Sequence, residues 1–192
     1  MTGWWPSPTV ARVKRLTVLG APASGKGTQG KLLADALGVP HVSVGTLLRR
    51  SIDEGDPHGV AAFLDEGNLV PDEITQRLLF PELGEGFVLD GYPRSLEQAV
   101  ALDRYLESQG IPLDAAIELL VPDGTLAARL SLRAEEQRRS DDNPDVFLHR
   151  LAAYHAEATK LRDYYGDRLI EVDGVGSEEE VFERIMEAVK DR

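Results

Sequence analysis

Five short apolar, β-branched runs recur along the chain, at residues 16–19, 39–44, 87–89, 116–121 and 169–172. Each has the length of a buried strand rather than of a helix. Between them the apolar positions fall at helical spacing. Residues 26–37 carry Leu32, Leu33, Ala36 and Leu37 on one stripe, and Gly38 supplies a C-terminal stop. Residues 95–109 begin on a capping serine and end before Gly110. Asn143-Pro144 places a cap and an N1 proline ahead of an amphipathic run at 146–165, in which Phe147, Leu148, Leu151 and Tyr154 form a stripe expected to pack into the core. Ser177 and Glu180 form a capping box for a last helix. Strands alternating with helices predict an α/β domain around a parallel sheet, in which ligands bind beyond the carboxyl ends of the strands.

The length of 192 residues fits one domain able to bury a core, without internal repeats or low-complexity segments. Residues 1–12, with two tryptophans and two prolines, read as a disordered leader; they lack the basic start and apolar run of a secretory signal. No apolar stretch reaches the roughly 18 residues of a membrane span. Cysteine is absent, which excludes disulfides and thiolate metal sites and is compatible with a cytoplasmic location. His41, His58, His149 and His155 have no metal-ligand spacing and are read as surface or packing residues. The net charge of −12 argues against nucleic-acid or anionic-membrane partners. Any phosphate chemistry must therefore rest on a local cluster of positive groups.

One such cluster opens at the first run. Gly20-Ala21-Pro22-Ala23-Ser24-Gly25-Lys26-Gly27-Thr28 follows a predicted strand and opens a predicted helix, the context of a phosphate-binding loop. Its glycines permit a turn in which successive N–H groups point inward at phosphate oxygens. The helix N-terminus adds a partial positive charge and Lys26 a full one. The hydroxyl that usually follows the lysine directly comes one residue later here, on Thr28.

A glycine-rich loop alone does not separate kinases from other nucleotide-dependent proteins. Gly25-Lys26-Gly27-Thr28-Gln29 is followed in order by Ser43-Val44-Gly45-Thr46-Leu47-Leu48-Arg49, Leu69-Val70-Pro71-Asp72-Glu73, Asp90-Gly91-Tyr92-Pro93-Arg94 with Gln98, and Arg139-Ser140-Asp141-Asp142-Asn143. In these motifs, spread from about residue 16 to 176, the chain resembles the adenylate kinase family of P-loop nucleoside monophosphate kinases. The resemblance implies a single kinase domain over 13–192 with a five-stranded parallel sheet flanked by helices. It also implies two mobile pieces: a segment at about 43–70 that closes over the monophosphate, and a short lid at about 132–142 that closes over ATP. The long, zinc-bearing form of lid is absent, so the expected cofactor is Mg²⁺ with ATP and no zinc. The expected state is a monomer.

The resemblance also implies roles. Lys26, Arg94, Arg133, Arg139 and Arg150 would be catalytic. Ala23, Ser24, Gly25, Lys26, Gly27, Thr28, Arg129, Arg133 and Gly176 would meet ATP. Val44, Arg49, Asn68, Leu69, Val70, Gly91, Tyr92, Pro93, Arg94, Gln98, Arg139 and Arg150 would meet AMP, with Gln98 reading the adenine edge. Arginine suits the phosphate posts because its planar fork binds oxygens bidentately. Asp90 would hold waters of the Mg²⁺. Asp141 and Asp142 either pair with lid arginines or cap the next helix. Three positions depart from the family's pattern. Ala23 stands for a glycine and so requires a negative φ; Val44 stands for a threonine beside the acceptor base; Thr46 stands for an aspartate. The expected reaction is ATP + AMP ⇌ 2 ADP. The alternatives are a kinase for another or modified nucleoside monophosphate, or a nucleotide-binding relative with weakened turnover.

Overall fold

The computed structural model describes residues 14–137 and 144–190, with side chains of 131–137 excepted. Its centre is a five-stranded, all-parallel sheet in the order β2-β3-β1-β4-β5. The strands are β1 (Arg15–Gly20), β2 (His41–Ser43), β3 (Phe87–Asp90), β4 (Ala115–Leu120) and β5 (Leu169–Asp173). Four of the five agree with the predicted runs to within a residue or so at either end. The exception, expected over 39–44, is only three residues long, because Val44 already opens a helix.

The helices are α1 (Lys26–Leu37), α2 (Val44–Asp53), α3 (Val60–Asp65), α4 (Asp72–Leu79), α5 (Leu96–Ser108), α6 (Asp123–Gln137), α7 (Pro144–Tyr165) and α8 (Glu178–Lys190). Caps set several of their ends. Gly38 closes α1 in the left-handed conformation, at φ 66°. Ser95 caps α5 by accepting the Gln98 N–H at 3.3 Å. The capping box at α8 is complete: Glu180 accepts from the Ser177 N–H at 2.8 Å, and Ser177 Oγ accepts from the Glu180 N–H at 3.2 Å. Asn143 lies outside the described residues, as do the leader, Arg139, Asp141 and Asp142.

Both faces of the sheet are covered, which is why its strands read as continuous apolar runs. Leu16 and Val18 of β1 join Val88 and Ile117 under α1 and α8, where Leu33, Val181 and Ile185 meet them. Leu19 joins Phe87, Leu89 and Ala116 on the other face, against Leu102 and Leu106 of α5 and Tyr165 of α7. One stripe differs from expectation. Phe147 and Leu151 are buried with Ala21, Leu126 and Leu130, and Tyr154 packs beside them, whereas Leu148 is 60% exposed. At about 100° per residue, Leu148 is turned off the face that positions 147, 151 and 154 define.

Glu118 is the exception inside the sheet. This carboxylate on β4 is 2% exposed. It accepts Arg162 Nε at 2.7 Å, an Arg162 terminal nitrogen at 3.1 Å, and the Tyr154 hydroxyl at 2.6 Å. The pairing holds Arg162 above the usual guanidinium range, chiefly through the hydrogen bond. Burial, followed by the carboxylate, raises the Tyr154 phenol. The cluster fastens α7, from Tyr154 at its middle to Arg162 in its last turn, to β4, which lies beside β1 in the sheet.

Candidate functional site

β1 delivers the chain to the carboxyl edge of the sheet, between β3 and β4, and the glycine-rich loop starts there. Gly20 sits at φ 140°, and a Cβ on it would lie 2.9 Å from Ser24 Oγ and 3.0 Å from the Leu119 carbonyl oxygen. Only glycine fits that turn. Gly25, at φ 96°, is the N-cap residue of α1, whose first turn contains no acidic residue. The positive end of the helix therefore faces the loop without an acidic residue of its own first turn to offset it. Lys26 Nζ donates to the Ala21 carbonyl at 2.7 Å, so the ammonium lies along the loop.

Ala23 corrects the sequence reading. Its φ is +62°, in the left-handed region, whereas an alanine there was expected to need a negative φ. The loop keeps the conformation that glycine would favour, and the alanine adopts it under strain of about 1–2 kcal/mol.

Two contacts brace the loop from outside. Arg129 donates one terminal nitrogen to the Ser24 carbonyl at 3.1 Å and the other to the Gly174 carbonyl at 2.9 Å. Gln29 Nε2 donates to the Glu178 carbonyl at 2.9 Å. The loop after β5, which includes Gly176, is thereby tied to the glycine-rich loop.

Asp90 ends β3 and accepts the Ser43 hydroxyl at 3.2 Å. A Cβ on Gly27 would come within 3.4 Å of Asp90 Oδ2. This explains the glycine between Lys26 and Thr28: the first turn of α1 runs close against the carboxylate. Asp90 thus faces the end of the phosphate loop, where α1 begins, a position that suits a carboxylate holding the water shell of a magnesium ion. Among the described residues no group of three or more His, Cys, Asp or Glu side chains is gathered as a metal site.

The turn after Asp90 is fixed from below, where the buried Thr17 hydroxyl donates to the Tyr92 carbonyl at 2.6 Å. Burial raises the Tyr92 phenol well above its ordinary value. Arg94 then emerges exposed, with Nε donating to the Gly91 carbonyl at 2.9 Å. Its backbone N–H donates to Gln98 Oε1 at 2.7 Å, while Gln98 Nε2 donates to Asp72 Oδ1 at 2.7 Å.

Gly91, Tyr92, Arg94 and Gln98 form one side of a narrow cleft. Of the residues singled out in the sequence, Val44, Asn68, Leu69, Val70, Gly91, Tyr92, Arg94 and Gln98 line it. Leu48, Leu64 and Thr75 line it too and were not foreseen. Arg49 folds over Gly45, its guanidinium 3.4 Å from where a Cβ on that glycine would stand. Gly67 lies so close to α7 that a Cβ on it would come 2.8 Å from Val146 Cγ1.

Pro93 is buried in the turn and does not line the cleft, and Arg150 is half-buried on α7. Thr28 is exposed at the start of α1, and the Arg133 side chain lies outside the described residues. Asp72, quoted in the sequence only within the motif at 69–73 and given no role there, is the neighbour that the fold brings against Gln98.

Comparison with known proteins finds clear likenesses over most of the chain. The adenylate kinase family model matches residues 18–170. An adenylate kinase of Mycobacterium tuberculosis (strain H37Rv) is 46% identical over 182 residues, 91% of this chain and 98% of that protein. One from Clavibacter michiganensis is 44% identical over 187 residues, 93% and 94% of the two chains. One from Mycolicibacterium smegmatis is 43% identical over 182 residues, 91% and 98%.

Proposed function

The chain belongs to the adenylate kinase family, and from that premise we propose that it transfers the terminal phosphoryl group of ATP reversibly onto AMP, giving two ADP. The observation that carries this reading is the pairing of two sites on one sheet edge. The phosphate loop and the Gln98 cleft both open at the carboxyl end of the sheet, and Asp90 of β3 stands next to each.

A phosphate oxygen of AMP attacks the γ-phosphorus of ATP, and the bridging oxygen leaves with the bond's electron pair on ADP. The transition state is loose, with charge spread over the equatorial oxygens, so positioning and positive charge supply most of the acceleration. Lys26 and the loop N–H groups of residues 23–28 hold the β- and γ-phosphates. Arg129 and Arg133 meet ATP from α6, and the backbone at Gly176 meets its base. Arg49 and Arg94 hold the acceptor phosphate, and Arg139 and Arg150 converge on the group in flight. Val44, Asn68, Leu69, Val70 and the 91–93 turn enclose the acceptor nucleoside, and Gln98 reads its base. Mg²⁺ would neutralise phosphate charge when bound with ATP, and Asp90 would hold its waters.

The segment at 43–70 closes over AMP and the short lid at 132–142 over ATP, excluding water that would otherwise take the phosphoryl group. Among the described residues no helix is long and apolar enough to cross a membrane. The net charge of −12 argues against nucleic-acid and anionic-membrane partners, and the family likeness supports a cytoplasmic monomer acting on ATP and AMP.

Val44 favours a second reading. It is buried in the cleft wall and brings no hydroxyl to the base, which leaves room for a different or modified monophosphate as acceptor. A kcat/KM panel over AMP, GMP, CMP and UMP with Mg-ATP decides between them. AMP is expected to be the best acceptor, and a better rate with any of the others would replace the AMP reading.

A further inference from the structure

We propose that Asp72 is a specificity-positioning residue: it fixes which way round the Gln98 amide faces and thereby sets the cleft for adenine rather than guanine. The proposal rests on the reading of this cleft as the acceptor-base site.

A glutamine amide is nearly the same shape at both ends, so by itself it can serve a purine edge in either sense. Here each end meets a group that can act in one way only. The Arg94 backbone N–H can only donate, and it holds Oε1 at 2.7 Å. The Asp72 carboxylate accepts, and it takes an N–H from Nε2 at 2.7 Å. Turning the amide over would set a carbonyl oxygen against the carboxylate and an N–H against an N–H. Gln98 is 3% exposed, so water cannot relieve either mismatch. The two partners come from separate elements, Asp72 from the first turn of α4 and Arg94 from the turn ahead of α5. The orientation is therefore built into the fold and not into Gln98 itself.

One N–H on Nε2 and one lone pair on Oε1 remain to serve a ligand. Adenine offers an acceptor at N1 and a donor at its amino group, which an amide of fixed polarity can meet with both groups. Guanine offers a donor at N1 and an acceptor at O6, the reverse pattern, and meets the same amide donor against donor. A site that reads an edge by buried hydrogen bonds rejects the mismatched partner strongly. Asp72 holds the amide end that lacks a backbone partner, and its bond is charge-assisted, so it contributes a large share of this preference.

The test is the ratio of kcat/KM for AMP to that for GMP, with Mg-ATP, in the parent protein, Asp72→Asn, Asp72→Ser and Asp72→Glu, each checked by thermal melting. Asparagine and serine can donate as well as accept, so either variant releases one end of the amide. The ratio is expected to fall by about tenfold or more in both, through a higher KM for AMP and a lower one for GMP, with the KM for ATP unchanged. Asp72→Glu keeps an acceptor-only carboxylate and retains most of the preference. A merely structural role for Asp72 would lower turnover with both acceptors alike and leave the ratio where it was.

A parent protein that prefers another acceptor over AMP overturns the base-site reading and this proposal with it. A parent that prefers AMP, with a folded Asp72→Asn or Asp72→Ser whose ratio stays within about twofold of it, overturns this proposal alone. Asp72→Ser decides the matter should Asp72→Asn not fold.

Discussion

Replacing Arg162 by methionine tests the buried cluster that fastens α7 to β4. The substitution keeps most of the side-chain volume and removes both guanidinium bonds to Glu118, at 2.7 and 3.1 Å. It leaves a carboxylate with a 3% exposed side chain holding only the Tyr154 hydroxyl. Breaking one side of a buried ion pair costs about 3–5 kcal/mol. The Arg162 side chain is 38% exposed, so the pair is partly screened and this figure is reduced. A loss of about 2–3.5 kcal/mol follows, or roughly 4–14 °C in Tm at about 2–4 °C per kcal/mol for a chain of this size. Urea unfolding and thermal melting of the parent and the variant should both show this deficit. The double variant with Glu118→Leu should recover most of the loss. A single variant melting within about 2 °C of the parent, or a double variant no more stable than the single one, would refute the cluster as a stability element.

Three further outcomes are expected. Burial holds the His41 imidazole below its usual value, so the folded protein prefers it neutral; as pH falls below about 6.5 the unfolded chain takes the proton first and stability declines. The stability gained between pH 5.5 and 7.5 in urea unfolding should thus be smaller in His41→Leu, and an equal gain would contradict the assignment. Ala23→Gly should relieve about 1–2 kcal/mol of left-handed strain against about 0.5–1 kcal/mol of added chain entropy, so Tm should stay level or rise by up to about 6 °C; a clear fall would show that the methyl matters more than the backbone. Val44→Thr should lower the KM for AMP roughly two- to tenfold with little change in kcat, the worth of one neutral hydrogen bond made equally in ground and transition states. An unchanged KM would place the threonine hydroxyl out of reach of the base.

Much of this architecture was legible because the strongest signals are local. The strand, glycine turn and helix from Arg15 to Leu37 follow from β-branched runs and from glycines that no other residue can replace at φ 140° and 96°. The segment between β2 and β3 was less readable. Its helices α2, α3 and α4 are only 10, 6 and 8 residues long, too short for a periodic stripe to stand out, and Gly55, Gly59 and Gly67 interrupt the pattern. Val44 illustrates the ambiguity: it completes an apolar run that looks like strand, yet its backbone starts α2. The strain at Ala23 was hidden because a sequence reports residue type and not φ. The link from Asp72 to Gln98 joins two elements 26 residues apart, and nothing local announces it. Glu118 did carry a signal that went unused, since a lone carboxylate within an apolar parallel strand must find a partner.

The central claim is tested most directly by following ADP formation from ATP and AMP with Mg²⁺, in the parent protein and in Lys26→Met. Two ADP should appear for each ATP and AMP consumed, and no phosphate should be released when AMP is left out. Lys26→Met, still folded by its melting curve, should lose roughly 10² or more in kcat, because a positive charge beside the transferring phosphoryl group is removed. A folded parent protein that forms no ADP from this mixture, or a Lys26→Met variant that turns over at the parent's rate, would contradict the account.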